Sequence, residues 1–182
     1  MNFDAFSHGQ IVSKLWLCEK LEPHVPENAI VFILGSWYNT LGSMMLTRNR
    51  NLYQHILGID LDQEAVTIAD KLCSTWIIEK KLRNTVDDVN SYNLQGPDVV
   101  INCSSEHMDT TWFDHITEGT LVCIQSSNIV EPDEVWVIEN PSSTIESFSE
   151  KYTMKETLFE DTYSIEYENG FGYKRFMKIG IK

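Results

Sequence analysis

The chain has 182 residues, of which 42% are hydrophobic and 11% aromatic, and we expect a single domain over residues 1–182. Its 27 Asp and Glu residues outnumber the 14 Lys and Arg residues, which gives a formal net charge of −13. That charge disfavours duplex nucleic acid as a partner, because binding needs basic side chains that displace counterions from phosphates. A nucleotide, a small metabolite or a protein remains open as a partner.

The four cysteines are far apart and lie among apolar residues, so we expect buried free thiols rather than disulfides or a zinc site. The N-terminal residues lack a basic segment followed by an apolar one, and no apolar run reaches the length of a membrane span. We therefore expect a soluble cytoplasmic protein with no membrane partner.

Apolar residues at helical spacing alternate along the chain with short apolar runs, which predicts alternating helices and strands. In chain order, the first half has a predicted helix at about 9–22, a strand at 29–34, a helix at 40–48, a strand at 53–59 and a helix at 63–74. The strands are continuous apolar runs, as expected for strands covered on both faces. The stretch 76–86 is ambiguous, because either the helix continues or Thr85 and Val86 form a short third strand.

The second half continues this pattern and then changes. Its predicted elements are a strand at 98–102, a helix at 110–116, a strand at 121–125, an extra strand at 134–138, a helix at 142–151 and two long strands at 157–167 and 173–181. Two glycines within 169–172 indicate a hairpin between the last two strands. The sequence thus predicts an α/β fold with a Rossmann-like, doubly wound, mostly parallel sheet and a C-terminal antiparallel hairpin.

The ends of the first two predicted strands indicate a nucleotide-like ligand. The first strand runs into Gly35 and Ser36, a turn whose backbone N–H groups can approach an anionic group at the start of a helix. The second strand ends in Asp60, whose carboxylate is placed to accept hydrogen bonds from ribose hydroxyls. Asp60 carries more of this prediction than the turn, which has a single glycine.

From about Ala29 to Lys182, this order of elements resembles the class I S-adenosylmethionine-dependent methyltransferases. The motif 58–62, Gly-Ile-Asp-Leu-Asp, is similar to the family's second strand end. The resemblance implies S-adenosyl-L-methionine as the cofactor, with Asp60 at its ribose hydroxyls and Leu61 among the other residues that bind it.

The resemblance also implies which residues contact the adenine of the cofactor, and one position of this chain departs from the family. It implies that Asp88, with Asp87 as the alternative, receives the adenine amino group, while Val89 meets a ring nitrogen. Ile33 stands where the family has an acidic residue, which removes the usual support for the ligand's amino group.

Two further residues are candidates for cofactor contacts. Lys14 on the predicted N-terminal helix could meet the cofactor carboxylate that Ile33 cannot help to orient; the alternative is a solvated helix face. Asn102, at the end of the fourth strand, could contact the methionine portion of the cofactor or a nitrogenous acceptor, although such residues often only satisfy the backbone.

Glu106 and His107 follow the fourth strand, whose end faces the ligand crevice in such a sheet. Methyl transfer from a sulfonium depends mostly on positioning, but a hydroxyl acceptor benefits from a base. Either residue is a candidate for that base; alternatively, Glu106 caps the next helix and His107 is a surface histidine. A metal site that includes Asp109 is disfavoured, because three ligands within four residues have poor geometry.

The resemblance therefore implies a methyltransferase that acts on a small molecule or a protein. The alternative is a catalytically silent protein of the same fold that binds a host or viral protein, which the reduced glycine turn favours. A nicotinamide-dependent reductase is disfavoured because no G-x-G-x-x-G motif follows the first strand, while an aminopropyl transferase stays open. More narrowly, residues 9–14, 98–108 and 173–180 resemble methyltransferase-like proteins of bacteriophages, which implies the cytoplasm of a bacterial host.

Overall fold

Seven strands form one sheet in the order β3-β2-β1-β4-β5-β7-β6 in a computed structural model that describes residues 2–129, 137–167 and 170–182. The strands are β1 Ala29–Leu34, β2 Tyr53–Asp60, β3 Leu82–Val86, β4 Val99–Asn102, β5 Leu121–Ser127, β6 Glu156–Glu166 and β7 Gly172–Ile181. Neighbours among the first five strands are parallel, whereas β7 is antiparallel to both β5 and β6. The predicted mostly parallel sheet with a C-terminal antiparallel hairpin is confirmed.

Helices cover both faces of this sheet. They are α1 His8–Leu21, α2 Thr40–Asn49, α3 Gln63–Leu72, α4 Ser74–Ile78, α5 Thr111–Asp114 and α6 Ile145–Ser149. Apolar residues of α1 and α2 pack in one core cluster, and those of α5 and α6 pack in another on the opposite face. No helix in the described part of the chain is both long and apolar enough to span a membrane.

The structure corrects several predicted boundaries. The ambiguous stretch 76–86 contains the end of α4 and the complete strand β3. Because β3 lies at the edge of the sheet, it carries polar residues that interrupt the apolar pattern typical of a strand. The predicted helix 142–151 is only α6, because Thr144 caps its N-terminus in a reciprocal pair with Ser147. The extra strand predicted at 134–138 lies mostly outside the described residues, and residues 137 and 138 are not in a strand.

The register of the sheet brings the predicted ligand residues to one edge. Leu34, the last residue of β1, is level with Ile59 of β2 on one side and with Asn102 of β4 on the other. Asn102 is in turn level with Ile124 of β5. The turn after β1 therefore lies between Asp60 and Asn102, at the carboxyl ends of the strands, where open α/β sheets bind their ligands.

Candidate functional site

The turn after β1 alternates left-handed residues with residues in ordinary conformations. Gly35, Trp37 and Asn39 have φ angles of +58°, +48° and +48°. Glycine adopts this region readily, but a bulky tryptophan does so only under strain that surrounding contacts must offset. Asn39 caps α2, since its side-chain oxygen accepts a hydrogen bond from the Gly42 N–H at 3.1 Å.

Asp60 connects the end of β2 to this turn. One carboxylate oxygen accepts a hydrogen bond from the Trp37 N–H at 2.6 Å, and the other accepts one from the Asp62 N–H at 3.0 Å. Burial raises the pKa of Asp60, while these two hydrogen bonds lower it. Each carboxylate oxygen has a second lone pair, so Asp60 can in chemical terms hold the turn and still accept ribose hydroxyls.

Gly58 leaves space beneath the turn for three side chains from two other segments, the turn itself and β3. A Cβ atom at this position would lie 2.7 Å from Asn84 Oδ1 and 2.8 Å from Ser36 Oγ, and it would also collide with Asn39 Nδ2. Asn39 donates a hydrogen bond to Asn84 at 2.7 Å, so two amides from different elements meet over the glycine. The buried Ser36 hydroxyl has no partner among the described residues.

At the end of β4, the Met108 side chain lies between Asn102 and the turn. The Asn102 amide donates to Met108 Sδ at 3.0 Å, and its oxygen accepts the Ser104 N–H at 3.1 Å. A Cβ atom at Gly35 would lie 2.9 Å from both Met108 Cε and Ser104 Oγ. The structure thus brings Asn102 close to Gly35, and the protein's own side chains fill the space above that glycine.

Glu106 does not face an open crevice. Its carboxylate forms an ion pair with Arg175 of β7 at 2.8 Å, and the two side chains are only 4% and 10% exposed. Arg175 also donates to the backbone oxygen of Cys103. Sequence reasoning missed Arg175, although it alternates in β7 with the core residues Met177 and Ile179, which places all three on the face that α1 covers.

His107 is half-buried, with Nδ1 at 2.7 Å from the Val137 carbonyl oxygen. A carbonyl can only accept, so Nδ1 is the donor in this contact.

Lys14 is buried rather than part of a solvated helix face. Its ammonium donates to Gln10 Oε1 at 2.6 Å, and burial lowers the pKa of Lys14. Among the charged neighbours, Cys103 raises this pKa and Arg175 lowers it.

The segment after β3 forms a turn beside Asp60. The Asp87 N–H donates to the Asp60 backbone oxygen at 3.0 Å, and Asp88 Oδ1 accepts the Asn90 N–H at 2.9 Å. Asp88 is half-buried, whereas the Val89 side chain is buried in the core and Leu61 is 69% exposed. The roles of Asp88, Val89 and Leu61 toward an adenosine group stay predictions.

Two surface grooves, of about 550 and 430 Å³, lie elsewhere on the molecule, and neither is lined by Gly35, Asp60 or Asn102. Within residues 2–129, 137–167 and 170–182, no group of three His, Cys, Asp or Glu side chains is arranged to hold a metal ion.

The sheet order and the position of these residues define a class I methyltransferase-like fold. The sequence matches no protein-family model and no curated protein. The structure of MccD matches with a TM-score of 0.68 at 10% identity, over 91% of this chain and 96% of MccD. Geranyl diphosphate methyltransferase bound to GPP and sinefungin matches with a TM-score of 0.64 at 11% identity, over 93% and 78% of the two chains; the same enzyme has also been solved with SAM.

A third neighbour, described as a sarcosine dimethylglycine methyltransferase from Galdieria sulphuraria, is a longer protein. It matches 65% of this chain with a TM-score of 0.56 at 9% identity, and the chain spans about half (48%) of its length. These similarities show that the chain has the methyltransferase fold.

Proposed function

We propose that this protein is an S-adenosyl-L-methionine-dependent methyltransferase that acts on a small molecule or a protein. The observation that carries the proposal is the Asp60 carboxylate, which lies at the tip of β2 and is hydrogen-bonded to the turn after β1. Methyltransferase neighbours of the same fold, one of them solved with this cofactor, support it.

The residues at this edge of the sheet fit the nucleoside end of the cofactor. Asp60 retains lone pairs for ribose hydroxyls, and Asp88 follows the end of β3, the strand next to β2. The methionine end fits once Met108 leaves its position over Gly35. When bound, S-adenosyl-L-methionine would supply an activated methyl group.

The chain's own contribution to the reaction would then be positioning and, for a hydroxyl acceptor, a base. His107 suits the base role better than Glu106, because the Glu106 carboxylate is bound to Arg175. An acidic surface makes duplex DNA a poor acceptor. The cytoplasmic location and the narrower bacteriophage resemblance remain predictions.

A catalytically silent protein of this fold is the second candidate. Met108 and Ser104 fill the space above Gly35, and Glu106 is held in an ion pair, so the site could have lost its cofactor while keeping its framework. Such a protein would act by binding a host or viral protein.

Calorimetric binding of S-adenosylmethionine, S-adenosylhomocysteine and NAD distinguishes these candidates. We expect the parent chain to bind both sulfur nucleotides and not NAD, and Asp60→Asn, which removes the charge but keeps the shape, to lose affinity. Asp161→Asn is the matched control, since Asp161 is an exposed aspartate of β6, at the opposite edge of the sheet from β3. Absence of binding to either sulfur nucleotide would refute the proposal and favour the silent protein.

A further inference from the structure

A short segment that precedes α1, residues 2–7, lies against the turn after β1. We call this segment the N-terminal strap; its centre is the 3-10 helix Phe3–Phe6. Phe3 and Phe6 are 77% and 45% exposed, whereas Ala5 is completely buried. Among the apolar side chains of the strap, Ala5 is therefore the one that packs into the fold.

The strap contacts the turn at Tyr38. The Asn2 N–H donates a hydrogen bond to the Tyr38 hydroxyl at 2.8 Å. Ala5 and Tyr38, both buried, pack in one small cluster with Ala65, which lies in the first turn of α3. A hydrogen bond and an apolar contact therefore join the Tyr38 side chain to the strap.

Tyr38 in turn supports Trp37, the bulkiest of the left-handed residues of the turn. The two rings are stacked, with their centroids 4.6 Å apart and their planes at 26° to each other. Trp37 has a φ angle of +48°, at which a residue with a large side chain is strained. Such a conformation persists only where the surrounding structure over-determines it, and the stacked Tyr38 ring is one of the contacts that do so.

The conformation of Trp37 affects Asp60 directly. The Trp37 N–H donates to Asp60 Oδ2 at 2.6 Å, so this bond helps to set the direction of the carboxylate. Rotation of Trp37 to an ordinary negative φ would turn its N–H relative to the rest of the turn and weaken the bond. The Asp60 carboxylate would then keep the bond from the Asp62 N–H at 3.0 Å, which comes from its own segment.

We propose that the N-terminal strap keeps Trp37 in its left-handed conformation and thereby orients the Asp60 carboxylate toward the cofactor's ribose. Ala5 and Tyr38 are then positioning residues, because they act through Trp37 and not by contact with the ligand. The coupling between the strap and Asp60 follows from the contacts within the protein. That this coupling serves a cofactor rests on the proposed function.

Hydrogen exchange of the Trp37 amide, measured by NMR, tests the coupling without a ligand, because a hydrogen-bonded N–H exchanges when its segment opens. Ala5→Glu places a carboxylate at a completely buried position and should detach the strap. We expect the Trp37 amide to exchange at least about tenfold faster in this variant. Phe3→Glu, which adds the same charge at an exposed position of the strap, is the matched control and should change the rate by less than about twofold.

Tyr38→Phe is a milder variant that retains the stacked ring. It removes only the hydroxyl that accepts the Asn2 N–H, so exchange at Trp37 should become about two- to tenfold faster. An unchanged exchange rate of the Trp37 amide in Ala5→Glu and in Tyr38→Phe would overturn the proposal.

Trp37→Gly shows whether the coupling runs through the strained residue. Glycine adopts a positive φ without strain and leaves Tyr38 without its stacking partner, so the strap should no longer govern this amide. In this background Ala5→Glu should change the exchange rate of the residue 37 amide by less than about twofold. A change as large as in the parent chain would show that the strap does not act through Trp37, and the proposal would be wrong.

Calorimetric titration with S-adenosylhomocysteine tests whether the coupling serves the cofactor. We expect Ala5→Glu to raise the dissociation constant at least about fivefold and Phe3→Glu to leave it unchanged. If Ala5→Glu binds this nucleotide as tightly as the parent despite faster exchange at Trp37, the strap does not orient Asp60 for the ligand and the proposal fails. If the parent binds neither sulfur nucleotide while the exchange rates change as expected, the proposed function is refuted and the coupling of the strap to Trp37 stands.

Discussion

Met108→Ala should strengthen binding of S-adenosyl-L-methionine while weakening the fold. In the structure the Met108 side chain lies over Gly35 and accepts a hydrogen bond from the Asn102 amide, in the space that the ligand's amino-acid end would need. A ligand that enters must displace this side chain. Truncation to alanine removes that requirement in advance, so stability and affinity should change in opposite directions.

The size of the effect follows from the contacts of Met108. Moving a half-buried methionine out of its place costs about 1–2 kcal/mol of apolar contact and hydrogen bonding. Without that cost, the dissociation constant should fall about 5- to 30-fold. The free energy of unfolding should fall by about 1–2 kcal/mol, which is less than for a fully buried methionine.

Titration calorimetry measures the affinity, and urea denaturation measures the stability. Met44→Ala is the matched control, because Met44 is a half-buried methionine on α2 and packs against the core cluster of α1 and α2. Methylthioadenosine, which lacks the amino-acid part, should gain little from Met108→Ala. If the parent binds S-adenosyl-L-methionine and Met108→Ala binds it equally or less well, Met108 does not occupy the ligand's space.

Three further predictions concern the rest of the fold. Gly58→Ala should cost about 2–3 kcal/mol in urea denaturation, and clearly less when Asn39→Ala removes one crowding side chain; an equal cost in both backgrounds contradicts the steric explanation. Lys178→Met should cost about 2–4 kcal/mol because it leaves the backbone oxygens of Ser149 and Tyr152 without this donor, whereas the exposed Lys174→Met should change stability by less than about 0.5 kcal/mol. Burial raises the pKa of Tyr173 from 10.0 to about 12, so as the pH rises the unfolded chain loses this proton first, and the free energy of unfolding should fall between these pH values. Tyr173→Phe should flatten that fall. A pH profile of stability that the substitution leaves unchanged would contradict this role of Tyr173.

Sequence patterns predicted the sheet well where burial alone decides the structure. Ala29–Leu34 and Leu121–Ser127 are covered on both faces, and the continuous apolar runs at 29–34 and 121–124 are hard to mistake. Strand β3 lies at the edge, where Arg83 and Asn84 interrupt the pattern, so its extent follows from pairing with β2 rather than from its own residues.

The candidate site was predictable only in its position. Strand ends identified Gly35, Asp60 and Asn102, because parallel strands bring their carboxyl ends together. Arg175 comes from the far end of the chain, and its pairing with Glu106 depends on the antiparallel return of β7 beside β5. The placement of Met108 over Gly35 likewise depends on how the segment after β4 folds back, which no local spacing encodes.

The crowding over Gly58 has a consequence for how this protein can diverge. Glycine is needed there because Asn39, Asn84 and Ser36 occupy the space that a side chain would take. Positions 39 and 58 should therefore change together among relatives: a small residue at 39 should permit a Cβ at 58, and an amide at 39 should be found with glycine. A collection of homologous sequences would reveal this as covariation between the turn after the first strand and the end of the second strand.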